Sequence, residues 1–444
     1  MGVVEALRHP RKIFLGWWMM LATGVMAAWG YGTWLYSYGL YFEPLQQEFG
    51  WTRAEISAAA ALRRLEGGLE GPFGGIFTDK YGPRVVNFLG FVIAGLGFIL
   101  LYFVNSLWSF LLVWGFIVSL GLNLGMWGPM GKALADWFVK KRGLVHSIAR
   151  TIQTIGNSII PTFMLVLMIA YGWRMASLIA GLMTWAIALP LTWFFTRPHR
   201  PEYYGMLPDG AEVDEKLKKD QEALIRAGQE YTAKEMEETE FTLRQAMRTR
   251  AFWIPLIASA PMRLAGPFFT LHFIPYLTDM GIDPMAATAA LGFMTFISIP
   301  GRLAGGTISD RIPLNRLKWI RILSSVMEWT GLLILMNAKQ LWMVYLYAVL
   351  RGPAMGLSSS STMPIRVRYF GRKGYGTISG VRALLTIPVG VFAPIYVGWV
   401  YDVTGSYFLA MQQALILYII GIFLWYFYDP PKRTTVVTEV KRFL

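Results

Sequence analysis

Two arginines stand inside long apolar stretches of the sequence, where a charged side chain is costly. Arg302 lies eight residues before Asp310, and Arg382 lies nine residues after Lys373. At a rise of about 1.5 Å per helical residue, both side chains would lie roughly 12–13 Å from one end of a helix. A guanidinium can donate two parallel N–H groups to one carboxylate. We therefore predict that Arg302 and Arg382 hold a carboxylate, the alternative being that each pairs with a local acid or backbone carbonyl.

Two acids lie one helical turn apart in a different apolar stretch. Glu66 and Glu70 share one helical face, and Arg63 lies one turn from Glu66. Burial favours the neutral form of a carboxyl group, so either acid is a candidate for binding and releasing a proton. The alternative is a structural network of arginine and glutamate. Asn123 and Tyr31, also in apolar stretches, are further candidates for polar contact with a bound anion.

The elements that must position these side chains are membrane-spanning helices. Of the 444 residues, 55% are hydrophobic and 15% are charged, whereas a soluble domain carries about 25% charged residues. A span needs about 20 residues. Twelve apolar segments reach about this length: 15–42, 54–78, 85–104, 108–135, 144–170, 173–196, 251–278, 285–309, 317–336, 341–365, 375–400 and 406–428. The expected fold class is an all-α membrane protein with twelve transmembrane helices.

The composition argues against several other classes of protein. Because the chain has no cysteine, it has no disulfide, thiolate metal ligand or cysteine nucleophile. Its four histidines are scattered and no P-loop occurs, so we expect no metal, no cofactor and no enzymatic activity. The net charge of +14 is spread over short clusters between apolar segments. The expected partner is therefore the lipid bilayer and not a nucleic acid.

The loops between the segments alternate in charge. One set is basic, as in Lys140–Arg142, while the other carries little beyond Arg53, Arg174 and Lys339. Lysine and arginine are enriched in cytoplasmic loops. We predict a multi-pass protein of the cell's inner (plasma) membrane with both termini in the cytoplasm.

One long polar stretch separates two groups of six segments. We predict an N-terminal six-helix bundle (1–196), a cytoplasmic linker (197–250), a C-terminal six-helix bundle (251–430) and a cytoplasmic tail (431–444). The end of the linker, Phe241 to Arg250, has the pattern of a short basic amphipathic helix.

The two bundles carry matching motifs at one constant offset. Asp310 lies 231 residues after Asp79, each following the second segment of its half. Gly374 lies 231 residues after Gly143, each following an aromatic and basic motif. One offset at two unrelated motifs indicates a duplication and hence two pseudo-symmetric bundles.

The loop after the second segment of each bundle could act as a gate. Asp79 and Arg84 lie in the first loop, and Asp310 and Arg311 lie in its repeat. An aspartate at a helix end can pair with an arginine of a neighbouring helix in one conformation and release it in another. The alternative is ordinary interfacial charge.

These loops resemble those of the major facilitator superfamily. The motifs that carry the resemblance are Gly75-x-x-x-Asp79-Lys80-x-Gly82-x-Arg84, Phe49-Gly50-Trp51-Thr52-Arg53, Trp137-Phe138 through Leu144, and Tyr369-Phe370-Gly371-Arg372 with Gly376 to Gly380. Within the superfamily they are similar to bacterial relatives of the monocarboxylate transporters and to the oxalate/formate antiporter family.

The resemblance implies alternating access by rocking of the two bundles. It places Arg302 on the substrate-binding arginine of helix 8, although Ser298 replaces the aspartate one turn earlier and no counterpart of the helix-1 lysine is present. Arg382 replaces the helix-11 lysine of the oxalate/formate family. The expected substrate is a small organic anion, a monocarboxylate such as lactate, pyruvate or formate, carried with a proton by a monomer.

Two alternatives remain open at this stage. One is exchange of a dicarboxylate for a monocarboxylate, in which a counter-anion takes the place of the proton. The other is a membrane sensor built on a transporter scaffold.

Overall fold

The computed structural model describes residues 14–213, 220–234, 241–370 and 375–431. Nearly all of these residues are helical, and the described ranges contain no strand. Seven helical stretches in them are long and apolar enough to cross a membrane by length and composition. The helices occupy each of the twelve apolar segments, as the composition predicts.

The N-terminal half, residues 14–195, is built from long helices interrupted at defined points. Its helices are α1 (Leu15–Tyr31), α2 (Phe42–Phe49), α3 (Arg53–Leu100), α4 (Leu107–Leu112), α5 (Ser119–Trp137) and α6 (Arg142–Phe195). Short π-helical stretches follow α1 (Gly32–Tyr36) and link α4 to α5 (Val113–Val118). Such π turns widen a helix locally and are frequent at functional sites.

The described residues between the two halves form two short 3-10 stretches and two further helices. The 3-10 turns Pro201–Tyr204 and Pro208–Gly210 precede α7 (Gln221–Lys234) and α8 (Leu243–Met247).

The C-terminal half, residues 250–428, has the same kind of build. Its helices are α9 (Arg250–Ala258), α10 (Ala260–Pro267), α11 (Phe273–Asp279), α12 (Pro284–Phe296), α13 (Ser298–Arg311), α14 (Leu317–Met336), α15 (Leu341–Phe370), α16 (Tyr375–Thr404) and α17 (Phe408–Tyr426). A π-helical stretch, Phe268–His272, links α10 to α11.

Two pairs of predicted segments are joined without a long loop. Residues 54–78 and most of 85–104 lie in the single element α3, which ends at Leu100 and bends at Gly82 (φ 79°). Residues 144–170 and 173–195 lie in α6, which bends at Gly172 (φ 77°). A positive φ is costly for residues with a Cβ, so a glycine at each bend lets the chain reverse within one residue.

The stretch between the two halves packs against both of them. The carboxylate of Asp209 accepts hydrogen bonds from the backbone N–H groups of Val139, Lys140 and Lys141, which precede α6. At the other end of the stretch, the Phe241 N–H donates to the Phe370 carbonyl. The amphipathic helix predicted over 241–250 is shorter in the structure. Only the five residues of α8 are helical there, and α9 begins at Arg250.

Glycines set the close packing of helices within each half. Gly90 of α3 faces the backbone of Gly125 in α5 so closely that a Cβ on Gly90 would clash with it. Gly301 of α13 faces the Pro353 carbonyl of α15 in the same way. The halves meet along α3 with α16 and along α6 with α12. We call the end of the bundle with Lys140, Lys141 and the start of α14 the basic end, and the end with Arg53 the opposite end.

Candidate functional site

A cavity of about 330 Å³ lies within the C-terminal half, toward the basic end. Residues of α9, α10, α14, α15, α16 and α17 line it, and one residue of α3 reaches it from the N-terminal half. Its charged lining residues are Arg64, Arg263, Arg321, Arg366, Arg382 and Glu328. Ionisable groups within a membrane usually face a water-filled space or one another. Five guanidinium groups around one cavity make it a candidate binding site for negative charge.

Arg382 is the most deeply buried unpaired cation in this wall. The residue is only 3% exposed, and its Nε and Nη1 atoms find no hydrogen-bond partner among the described residues. Its guanidinium carbon lies 5.9 Å from the centre of the Phe252 ring. A buried N–H group without a partner costs free energy comparable to a lost hydrogen bond. Arg382 is therefore ready to donate to an anion that enters the cavity.

Arg321 is instead held by the protein. Its Nη1 donates to the Ser358 carbonyl and to Ser358 Oγ, both at 2.8 Å, and its Nη2 donates to Thr362 Oγ1. These contacts fix α14 against α15. Arg321 thus contributes positive charge to the wall while its hydrogen bonds are largely used.

The acid in the wall is neutralised by a partner outside it. Glu328 accepts a 2.6 Å hydrogen bond from Arg351 and a 2.8 Å hydrogen bond from the Tyr418 hydroxyl. The side chains of Glu328 and Arg351 are each 3% exposed. Removing one partner of such a pair leaves a buried, uncompensated charge. Because Glu328 is paired with Arg351, it does not offset the charge of the wall arginines, and the described wall is strongly positive.

Arg302 lies in different surroundings from Arg382. It is half-buried on α13, and its Nε lies 3.5 Å from Ser298 Oγ. Arg302 is not among the residues that line the arginine-rich cavity, because α13 packs against the far side of α15. Sequence position gave the depth of the two arginines but not their rotation about the helix axis. The structure thus does not bring the two predicted carboxylate ligands into this one cavity.

At the opposite end, Arg53 at the start of α3 ties the two halves together. Its Nη1 and Nη2 donate to the two carboxylate oxygens of Asp279, each at 2.7 Å, and Nη1 also donates to the Tyr407 hydroxyl at 2.6 Å. The backbone N–H groups of Arg53 and Ala54 donate to Asp402. We call Arg53, Asp279, Asp402 and Tyr407 the Arg53 cluster. Burial opposes the charge on Arg53, but the contacts with Asp279 and Tyr407 outweigh it and raise its pKa.

His272 continues this contact deeper into the molecule. The ring is fully buried, and its nitrogens lie 3.2 Å from Ser57 Oγ of α3 and 3.0 Å from the Tyr407 hydroxyl of the C-terminal half. The Arg53 cluster and His272 thus join the two halves by hydrogen bonds at this end. None of these residues lines the arginine-rich cavity, which lies toward the basic end.

The family model described as Major Facilitator Superfamily matches residues 20–386. The chain belongs to the Major Facilitator Superfamily. The superfamily implies twelve transmembrane helices, in agreement with the twelve helical segments. It also identifies the chain as a membrane transporter in the broad sense, as the loop motifs predict.

Curated superfamily relatives and solved structures resemble most of the chain. Mouse monocarboxylate transporter 2 is 24% identical over 393 residues, covering 87% of this chain and 78% of the relative. Human monocarboxylate transporter 11 is 25% identical, covering 92% and 82%. A bacterial homologue of the human lysosomal transporter Spinster, in an inward-facing and unoccupied conformation, superposes with a TM-score of 0.69 at 15% identity, covering 93% of this chain and 97% of that one.

A sensor also lies among the similar proteins of this superfamily. The membrane sensor protein UhpC of Salmonella typhimurium is 24% identical over 287 residues, covering 62% of this chain and 61% of the relative. The similarity to this sensor is therefore confined to a smaller part of the chain than the similarity to the monocarboxylate transporters.

The N-terminal half of the chain contains the two acids predicted to bind a proton, together with Asn123 and Tyr31. Glu66 is buried and accepts hydrogen bonds from Ser119 Oγ at 2.6 Å and from Asn123 Nδ2 at 2.9 Å. Asn123 is therefore used in joining α3 to α5. Tyr31 is buried beside a separate cavity of about 40 Å³ in the N-terminal half. The side chain of Glu70 lies outside the described residues.

The predicted gate motif is only partly within the described residues. The Arg84 guanidinium donates to the Trp193 carbonyl and lies 4.3 Å from the centre of the Trp193 ring, so it ties the bend of α3 to the end of α6. Arg311 is exposed. The side chains of Asp79 and Asp310 lie outside the described residues.

Several residues of the site were not singled out from the sequence. Glu328 and Arg351 lie in apolar segments and could have been found by the same search that found Arg302, whereas Arg366 directly follows the segment 341–365. The pairing of Arg53 with Asp279 joins residues 226 positions apart, and no local signal predicts it.

Proposed function

We propose that this chain is a secondary active transporter of small organic anions that works by alternating access. Membership of the superfamily supports transport in general. The closed Arg53 cluster at one end and the arginine-rich cavity toward the other end fit one access state of such a cycle. The basic end would face the cytoplasm of a cell whose plasma membrane holds the protein, with residues 1–196 and 251–430 as the two rocking bundles, 197–250 as the linker and 431–444 as the tail.

The observation that carries the proposal is the unpaired guanidinium of Arg382 in the wall of the cavity. A carboxylate can accept two parallel N–H bonds from one guanidinium. A bound carboxylate would satisfy Arg382 and offset the positive charge of its neighbours. Arg302, in the position of the substrate-binding arginine of the monocarboxylate transporters, is proposed as a second contact at another stage of the cycle.

The proposed substrate is a monocarboxylate such as lactate, pyruvate or formate, moved together with a proton by a monomer. The likeness to monocarboxylate transporters along most of the chain supports this substrate class. A bare anion that enters a negative interior is opposed by about 2.3 kcal/mol per 100 mV, so a co-transported proton would offset its charge. Glu66, buried and hydrogen-bonded in the N-terminal half, is the proposed proton site among the described acids, with Glu70 as the other candidate.

Uptake into proteoliposomes tests the proposal. Purified protein is reconstituted, and uptake of radiolabelled lactate, pyruvate and formate is measured with an inward proton gradient, without it, and with vesicles preloaded with unlabelled anion. Uptake driven by the proton gradient supports symport. Uptake that ignores the gradient but needs preloaded anion means exchange, and ligand binding without any uptake means a sensor.

Single substitutions test which arginines are needed for uptake. Arg382→Gln should lower uptake at least tenfold, because it removes the charge and the paired donors. Arg302→Lys should also lower uptake sharply. Arg316→Gln, an exposed residue at the basic end, removes the same charge without touching the cavity and serves as the control. Normal uptake by Arg382→Gln would refute the role given to the cavity.

A further inference from the structure

The wall of the cavity carries more positive charge than one carboxylate can offset. Its described charged lining comprises five arginines and Glu328, and Glu328 is already bonded to Arg351. Arg366 lies within electrostatic range of both Arg263 and Arg382, and Arg64 lies within range of Arg263. These cations therefore form one cluster in which neighbouring guanidinium groups repel one another. An anion with a single charge would leave most of that repulsion in place.

Arg64 differs from the other arginines because it comes from the N-terminal half. It stands on α3 eleven residues after Arg53, so about 16 Å into the molecule from the opposite end. It is nevertheless exposed, and its exposed side chain lines the cavity. The remaining arginines of the wall stand on helices of the C-terminal half. The cavity thus presents cations from both halves to whatever occupies it.

A glycine makes the space that Arg64 occupies. A Cβ built on Gly390 of α16 would lie 3.2 Å from Arg64 Cδ and 3.4 Å from Arg64 Nη1. Gly390 lies two helical turns after Arg382 on the same helix. The Arg64 side chain therefore lies flat against α16, with Arg382 further along the same helix toward the basic end.

We infer that the cavity binds an anion with two separated negative groups, one held by Arg64 of the N-terminal half and the other by Arg263, Arg366 and Arg382 of the C-terminal half. This inference rests on the proposed function and makes Arg64 its specificity-determining residue. The two groups are two carboxylates, or a carboxylate and a phosphate. Such an anion spans the boundary between the halves and contacts both of them at once.

Binding to the purified full-length chain in lipid nanodiscs tests the inference by calorimetry. The ligands are propionate and lactate, a series of dicarboxylates from malonate to adipate, 3-phosphoglycerate, and inorganic phosphate. We expect one dicarboxylate length, or 3-phosphoglycerate, to bind about tenfold to a hundredfold more tightly than propionate, because a second charge-assisted contact is added. The chain length of the tightest ligand reports the spacing of the two contacts, and the phosphate arms separate the two chemistries.

Three variants locate the second contact. Arg64→Gln should lower the affinity for the two-ended anion at least tenfold while leaving propionate within about twofold. Gly390→Val, which keeps every charge but fills the space beside Arg64, should have the same selective effect. Arg316→Gln should change neither affinity. Elution as a single peak in size-exclusion chromatography and an unchanged midpoint of thermal unfolding without ligand show that each variant is folded.

The outcomes separate this inference from the proposed function. If monocarboxylates bind and are transported but two-ended anions bind no more tightly, the proposed function stands and the inference is wrong. An equal loss of affinity for both ligand classes in Arg64→Gln also overturns it. If no carboxylate or phosphate ligand binds at all, the proposed function fails as well.

Discussion

The Arg53 cluster should control which access state the protein occupies. In the wild-type structure, Arg53 donates two 2.7 Å hydrogen bonds to Asp279 and one 2.6 Å hydrogen bond to Tyr407 across the boundary between the halves. Its guanidinium carbon also lies 3.8 Å from the centre of the Tyr401 ring. Replacing Arg53 by glutamine removes the charge, the paired donors and the ring contact together. The state closed at this end should therefore lose stability relative to the state open there.

The magnitude follows from burial and geometry. The side chain of Arg53 is 7% exposed and that of Asp279 is 31% exposed, so the pair lies between a surface ion pair worth about 0–1 kcal/mol and a buried charged hydrogen bond worth about 1.5–3 kcal/mol. An intermediate value of about 1.5–2 kcal/mol corresponds to a shift of roughly tenfold to thirtyfold in the ratio of the two states. The bonds from the backbone to Asp402 and those of His272 remain, so the closed state should not vanish.

Because the chain has no cysteine, two spin labels can be placed without background. The labels are attached at Gln47→Cys on α2 of the N-terminal half and at Met285→Cys on α12 of the C-terminal half. Both positions are exposed and lie at the opposite end. Pulsed electron paramagnetic resonance should show a longer distance gaining population in Arg53→Gln and in Asp279→Asn. Arg174→Gln is the matched control, because Arg174 pairs with Glu48 at 2.5 Å within one half. Identical distance distributions in Arg53→Gln and the control would refute the assigned role.

Three further substitutions follow from buried acids. Glu328→Gln should lower the free energy of unfolding by about 3 kcal/mol, because it leaves Arg351 charged without a partner. In thermal unfolding, the double variant that also carries Arg351→Met should be more stable than Glu328→Gln alone. Glu66→Gln should abolish stimulation of uptake by a proton gradient while leaving exchange of internal for external anion, and an unchanged proton response would exclude Glu66 as the proton site. Burial raises the pKa of Glu202 beside α7, so folding favours its protonated form. The packing of α7 should therefore be most stable below the ordinary glutamate pKa of about 4.3 and should weaken as the pH rises through the raised value. Hydrogen exchange of α7 should show this trend in the wild type and not in Glu202→Gln.

Much of the fold was predictable because hydropathy and periodicity are local properties. The twelve apolar segments and the constant offset between Asp79 and Asp310 depend on neighbouring residues and on repetition, and the helices follow them. Hydropathy predicts a break between two apolar segments near Gly82 and near Gly172, but it does not show how few residues the chain needs to reverse there. In the structure, one glycine at each position is sufficient.

The candidate site was less predictable because it depends on the rotation of helices about their axes. Counting residues from Asp310 and Lys373 gives the depth of Arg302 and Arg382, yet only Arg382 lines the arginine-rich cavity. Likewise, the depth of Asn123 suited a substrate contact, but its side chain is used by Glu66. Packing between helices decides these directions, and it involves residues that are distant in the sequence.

The positions of the two charged regions link binding to conformational change. The Arg53 cluster satisfies its cation with acids of the other half, so closure at that end costs no unpaired charge. The arginine-rich cavity has no comparable acids among its described lining residues beyond Glu328, which is already paired. Closing the basic end around an empty cavity would bury several unpaired guanidinium groups, which is costly. A bound anion removes that cost, so the empty protein should resist closing at the basic end until its substrate has entered.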